Sequence, residues 1–172
     1  SAMSITRNRR VGLIGTAGTI QSRVYDDLFS MRPEISLTAQ ACPRFVELVE
    51  AGLTSGPEAL AVAEEYLSPL VAHDIDTLVL GCTHYPFLRG AISQVVGPQV
   101  ALVSSDIETA AEVYRVLTQR ELLRDPAAGE PLIRYEATGE DTAAFVELAR
   151  RMLGIGIDAV DHLPTGAIRL PR

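Results

Sequence analysis

The chain has 172 residues, 47% of them hydrophobic, only 5% aromatic and none tryptophan. That is enough for one domain and part of another, with cores built mainly from Ala, Leu and Val. A formal net charge of −7 and a pI near 4.9 exclude a basic nucleic-acid footprint, and no apolar run reaches the roughly 18–20 residues of a membrane span.

Ser1 and Ala2 before Met3 read as a cloning remnant, and "RNRR" (7–10) as a solvated leader to the first strand, so residues 1–9 are set apart. No charged leader with an apolar core opens the chain. "RVGLIGTAGT" (10–19) then reads as a strand entering a glycine-rich turn. A helix over 20–30 follows, with Ile20, Val24 and Leu28 at helical spacing and Thr19 as N-cap. "EISLTAQA" (34–41) alternates like a strand. Cys42-Pro43 turns into a short helix, "RFVELVEAG", stopped by Gly52.

A longer helix follows Pro57 through Leu60, Ala63, Leu67 and Leu70, with Pro69 expected to bend or end it. "DTLVLG" (76–81) is a continuous apolar strand of the kind buried on both faces. Pro86 opens another helix, "QVALVSS" (99–105) another strand, and Ser105 with Glu108 reads as a capping box for the helix after it. This alternation predicts an α/β fold with parallel βαβ units. A loop at 125–131 breaks it. One further strand, "LIRYEATG", one helix, "TAAFVELARRMLG", and a weak strand with a loose tail complete the chain. The organisation expected is a leader (1–9), a complete α/β lobe (10–108) and an incomplete second lobe (109–172).

Ligands of open parallel sheets bind beyond the carboxyl ends of the strands. There the sequence puts Thr16 and Thr19, then Cys42, then Gly81, Cys82, Thr83 and His84, then Ser104 and Ser105, with Glu50 on the short helix after Cys42. Free backbone N–H groups at such turns suit a small carboxylate. "GTAGT" lacks the spacing of a dinucleotide fingerprint and the Lys of a phosphate-binding P-loop. A metal site is disfavoured, because Cys42 is the one soft ligand left to join Cys82 and His84. Two cysteines make no disulfide framework and suit a reducing, cytoplasmic compartment. A thiol is a weak reagent at neutral pH unless a helix start or an imidazole adjoins it. Cys82 is expected to have both, the helix start after Pro86 and His84 two residues away, which leaves it as either a nucleophile or a proton-transfer base.

The block "LVLGCTHYPFL" resembles the second cysteine signature of the glutamate racemases, of the aspartate/glutamate racemase family. "VGLIGTAGTIQSRVY", "ACPRFVELVEAG" and "ALVSSDIETA" follow that family's order, so the resemblance covers roughly residues 10–153. It implies a cofactor-independent enzyme that interconverts L- and D-glutamate with two cysteines on opposite faces of the substrate, supplying D-glutamate for peptidoglycan. By that resemblance Cys82 is the second proton-transferring cysteine. Thr83 and His84 contact the substrate, His84 also assists the thiol, Glu50 supports His84, and Thr16 and Thr19 line the pocket.

The family's Asp-Ser-Gly motif, Pro-Tyr-Gly segment and first cysteine in Cys-Asn-Thr do not occur here, and Ser104 stands where an Asp is common. Cys42 belongs to the "ACP" block and is not the first catalytic cysteine. The resemblance therefore implies the latter part of a racemase, inactive alone and prone to self-association through its incomplete lobe. The alternative is a non-catalytic ligand-binding or interaction module that keeps the fold.

Overall fold

The computed structural model describes residues 1–154, 156–164 and 166. The contacts divide them into two compact units, one from Ser1 to Leu122 and one beginning at Leu123. The division thus falls later than the 108/109 boundary suggested by sequence.

The first unit runs α1 (Ala2–Ile5), β1 (Arg10–Gly15), α2 (Ala17–Gln21), α3 (Val24–Ser30), β2 (Ser36–Ala41), α4 (Arg44–Glu50), α5 (Pro57–Ala72), β3 (Thr77–Leu80), a 3₁₀ turn (Tyr85–Leu88), α6 (Arg89–Val96), β4 (Ala101–Ser104) and α7 (Ser105–Gln119). Its four strands form one sheet in the order β2-β1-β3-β4, and all pairs are parallel. From β1 the chain moves to one side to make β2, then crosses to the other side to make β3. The carboxyl ends of β1 and β3 therefore flank the point where strand order reverses, and there an open α/β sheet leaves a crevice.

Period-two alternation distributes the strand side chains between two faces. Val11, Leu13 and Val79, with partly buried Leu37 and Val103, pack with Ala2, Phe29 and Ile35 into a core on one face. Ile14, Leu78 and Leu80 alternate to the other and are also buried. All of β3 is buried, as its unbroken apolar run predicts.

Residues 1–9 are ordered here. Ala2 is buried and Met3 packs against the same core. Asp76, just ahead of β3, accepts hydrogen bonds from the Thr6 hydroxyl at 2.7 Å and from the N–H groups of Arg7 and Asn8 at 2.6 and 2.7 Å. Asn8 in turn donates to the Asp74 carbonyl.

Several local expectations need correction. The single helix over 20–30 is two, α2 and α3, separated by Arg23 in the left-handed region at φ 55°. Ser22 donates its hydroxyl to the Thr19 carbonyl, a local bond that competes with helix continuation. Val24 and Leu28 are exposed, and Phe29 is the buried residue of α3. The N-cap of α2 is Thr16, whose hydroxyl accepts from the Thr19 N–H, so Thr19 is not the cap. α5 continues past Pro69 to Ala72: the proline lies in the last turn, and buried Leu67 and Leu70 hold the helix through it. The N-cap of α7 is Ser104 rather than Ser105, and it makes no side-chain capping bond. α4 ends as expected. Gly52 takes φ 76°, its N–H reaches the Val49 carbonyl and the Leu53 N–H that of Leu48, which is a Schellman closure.

The second unit contains a 3₁₀ turn (Pro126–Ala128), β5 (Glu136–Ala137), α8 (Thr142–Leu153) and β6 (Asp161–His162). The segment "LIRYEATG" shrinks to the two residues of β5. β6 pairs with it in parallel to make a two-stranded sheet. Val146 and Ala149 of α8 pack with Ile157, Val160, Tyr135 and Ala137 in a small core, whereas Phe145 and Leu153 stay exposed. Asp141 caps α8 through the Ala144 N–H at 2.9 Å. The tail from 167 onward lies outside the described residues.

Candidate active site

β1 and β3 are adjacent and in register, with Ile14 beside Leu80. The loops starting at Gly15 and Gly81 therefore leave the sheet from neighbouring positions. Gly81 donates its N–H to the Ile14 carbonyl at 2.8 Å, and Cys42 donates its N–H to the Gly15 carbonyl at 2.9 Å. Three strand ends are tied together by backbone bonds before any side chain acts.

On the loop after β3 the Cys82 sulfur stands 3.8 Å from Nδ1 of His84. Nε2 of His84 stands 3.4 Å from Oε1 of Glu50, at the last residue of α4. α4 packs against the 3₁₀ turn that follows His84, and this packing brings residues 50 and 84 together. Cys82, His84 and Glu50 thus form a row of thiol, imidazole and carboxylate. Cys82 and His84 are partly buried and Glu50 is exposed. With Glu50 accepting from Nε2–H, the Nδ1 lone pair faces the thiol, an arrangement that can take a proton from sulfur or return one.

Cys82 does not sit at a helix start. The residues after it form a single 3₁₀ turn, and α6 begins only at Arg89, so the group beside the thiol is the His84 imidazole and not a helix N-terminus. Thr83 is exposed. The Thr16 and Thr19 hydroxyls lie 3.0 Å apart and bond to each other at the start of α2, on the β1 side of the crevice. Cys42 is fully buried, and burial pushes its thiol up to about 12, which leaves it protonated and inert.

Sequence reasoning gave Tyr85 no role. Its ring is fully buried, and its hydroxyl donates to the Cys42 carbonyl at 2.9 Å. The available signal was an aromatic residue placed directly after the imidazole. Among the described residues no group of three or more His, Cys, Asp or Glu is arranged to hold a metal ion.

The fold and site define a parallel α/β lobe whose switch-point crevice presents a thiol backed by an imidazole and a carboxylate. The chain belongs to the Asp/Glu/hydantoin racemase family, whose model matches residues 1–113. A glutamate racemase from Acidothermus cellulolyticus is 56% identical over 162 residues, which are 94% of this chain and 61% of that relative. Among solved structures, glutamate racemase isoform RacE1 from Bacillus anthracis superposes with a TM-score of 0.85 at 35% identity, over 98% of this chain and 62% of that one. Glutamate racemase from Francisella tularensis, in complex with D-glutamate, gives 0.79 at 28% identity, over 90% and 57%. The chain therefore spans about three-fifths of the length of the relatives it matches.

Proposed function

We propose that this chain supplies one catalytic face of a cofactor-independent glutamate racemase. The observation that carries the reading is the Cys82–His84–Glu50 row at the β1/β3 crevice, in a chain whose relatives are glutamate racemases. In one direction the Cys82 thiolate removes the α-proton of the amino acid, leaving a planar carbanion. A second thiol on the opposite face returns a proton to the same carbon, so configuration inverts and no net proton is consumed. In the other direction Cys82 enters protonated and donates. His84 accepts or supplies the sulfur proton at Nδ1, and Glu50 holds the imidazole tautomer through Nε2. Thr83, His84, Thr16 and Thr19 contact the substrate from the ends of β3 and β1.

The second thiol is not Cys42, which is buried and inert. It comes from the length that the relatives have and this chain lacks, so the 172-residue chain by itself is inactive. The setting we propose is cytoplasmic supply of D-glutamate for peptidoglycan. The residues around Leu132, Ile133, Phe145 and Leu153, exposed in the second unit, are where we place self-association.

The test is an assay of the purified chain with L-glutamate, following α-proton exchange in D₂O and optical rotation. No inversion is expected, because each positioned acid or base is worth about 10²–10⁴-fold. Inversion at enzyme-like rates would refute the division between two faces. The upstream coding sequence supplies the second arm. An in-frame Cys-Asn-Thr segment supports the racemase, and its absence turns the reading toward a non-catalytic module.

A further inference from the structure

Tyr85 joins elements that the site needs in one place. Its hydroxyl bonds the Cys42 carbonyl at 2.9 Å, across 43 residues of sequence and in a buried setting. The Cys42 N–H is itself bonded to Gly15. One phenol thereby links the loop after β3, which bears Cys82 and His84, to the turn that leads into α4, which bears Glu50. Through Cys42 the same linkage reaches the end of β1 beside Thr16.

Packing alone does not require the hydroxyl. The Tyr85 ring meets Phe45 of α4 edge-on, with centroids 5.3 Å apart at 87°, and Phe45 meets Tyr66 of α5 in the same way at 5.4 Å and 89°. A phenylalanine at 85 would keep both ring contacts. A buried phenol has to find an acceptor or lose its hydration without return, so its presence calls for another reason. The His84–Glu50 contact supplies one. At 3.4 Å, with Glu50 half exposed, it is a long contact between groups on different elements. A small slide of α4 against the 3₁₀ turn would break it. The phenol is directional where the ring contacts are not, and it fixes the head of α4 relative to residue 85, one position from the imidazole. Burial also keeps the phenol protonated and therefore a donor.

We infer that Tyr85 is a positioning residue, whose hydroxyl holds α4 and the loop after β3 in the register that lets Glu50 orient His84 toward Cys82. The inference rests on the Cys82–His84 relay proposed above, and its test separates the two.

The measurement is the rate of Cys82 alkylation by limiting iodoacetamide as a function of pH, mapped by mass spectrometry on the 172-residue chain. In the native chain His84 is expected to speed Cys82 alkylation, and the rate-against-pH profile of His84→Ala to be correspondingly slower. Tyr85→Phe should fold, and should slow alkylation near neutral pH roughly three- to tenfold, the range spanned by one neutral hydrogen bond. Its profile should move toward that of His84→Ala, and the double variant should be no slower than His84→Ala alone. Phe45→Leu loosens the ring packing but keeps the hydroxyl bond, so it should lower the melting temperature and leave the profile in place. 4-Aminophenylalanine at 85 restores a donor and should restore the profile. It also decides the matter if Tyr85→Phe does not fold.

A native profile in Tyr85→Phe, with His84→Ala still slow, overturns the positioning role and leaves the relay standing. An unchanged profile in His84→Ala overturns the relay, and the role of Tyr85 with it.

Discussion

The N–H of Gly81 donates to the Ile14 carbonyl at 2.8 Å, and a Cβ at residue 81 would stand 2.9 Å from that same oxygen and 3.1 Å from a Leu13 methyl. The close approach is backbone to backbone, so the neighbour cannot swing aside. Gly81→Ala is expected to push the loop after β3 away from β1 and to cost about 1–3 kcal/mol, the range for overpacking a tight site. Urea unfolding checks the stability. Slower Cys82 alkylation in the folded variant checks the displaced loop. A variant as stable as the parent would show that the two strand ends are not held this closely.

Cys82 is expected to be the reactive thiol and Cys42 the inert one. Burial pushes Cys42 up to about 12, which leaves it at least about a hundredfold less ionised than an ordinary thiol at neutral pH. Limiting iodoacetamide at pH 7 should label Cys82 alone, and both cysteines should label once guanidinium unfolds the chain. Early labelling of Cys42 in the native state would contradict the packing described here.

Asp76 makes stability depend on acid. Burial by itself raises its carboxyl, but hydrogen bonds from Thr6, Asn8, Arg7 and Thr77 outweigh burial and lower it to about 2. The folded value lies below the unfolded one, near 3.9. The contribution is therefore complete above about pH 4 and disappears as pH falls toward 2. After allowing for partial exposure it amounts to about 1 kcal/mol. Thermal unfolding from pH 5 to pH 2 should show this loss, and Asp76→Asn should be less stable at pH 6 with a flatter acid limb. Parallel acid limbs would mean that the clasp on residues 6–8 contributes nothing.

Self-association is expected to depend on the exposed apolar residues of the second unit, Phe145 among them at 46% exposure. Light scattering over a dilution series should show mass rising with concentration. Phe145→Glu, on the open side of α8, should reduce the rise without unfolding the helix, because Ala149 and Val146 hold the packed side. A constant monomer mass would remove the proposal, and an unchanged rise in Phe145→Glu would move the contact elsewhere.

Local sequence was sufficient for the strands. Four segments read as strands became four parallel strands: β3 is the unbroken apolar run that burial on both faces demands, and β2 the alternating one, only partly buried. The row "GCTHYP" also showed its chemistry directly: a thiol and an imidazole two residues apart share a loop in almost any fold. Helix boundaries were less legible. Periodicity ran smoothly through 20–30, but one left-handed residue, Arg23, divides the helix, and the spacing of apolar side chains carries no record of φ. For the second unit, local reading found the strand in "LIRYEATG" and a weak strand near the end of the chain, but not that the two pair in parallel as β5 and β6.

The sequence by itself determined the fold class, the parallel α/β alternation, and the identity of the thiol and the imidazole. These follow from hydrophobic periodicity and from residues that neighbour one another along the chain. Only the tertiary structure decided that Glu50 reaches His84, that Cys42 is sealed, and that Tyr85 ties the two loops together. Each of these is a contact between residues more than 30 positions apart or a degree of burial, and both are set by strand order and by the packing of α4 on the turn after β3. Such relationships have no local signature, because they exist only once the chain has crossed from one side of β1 to the other.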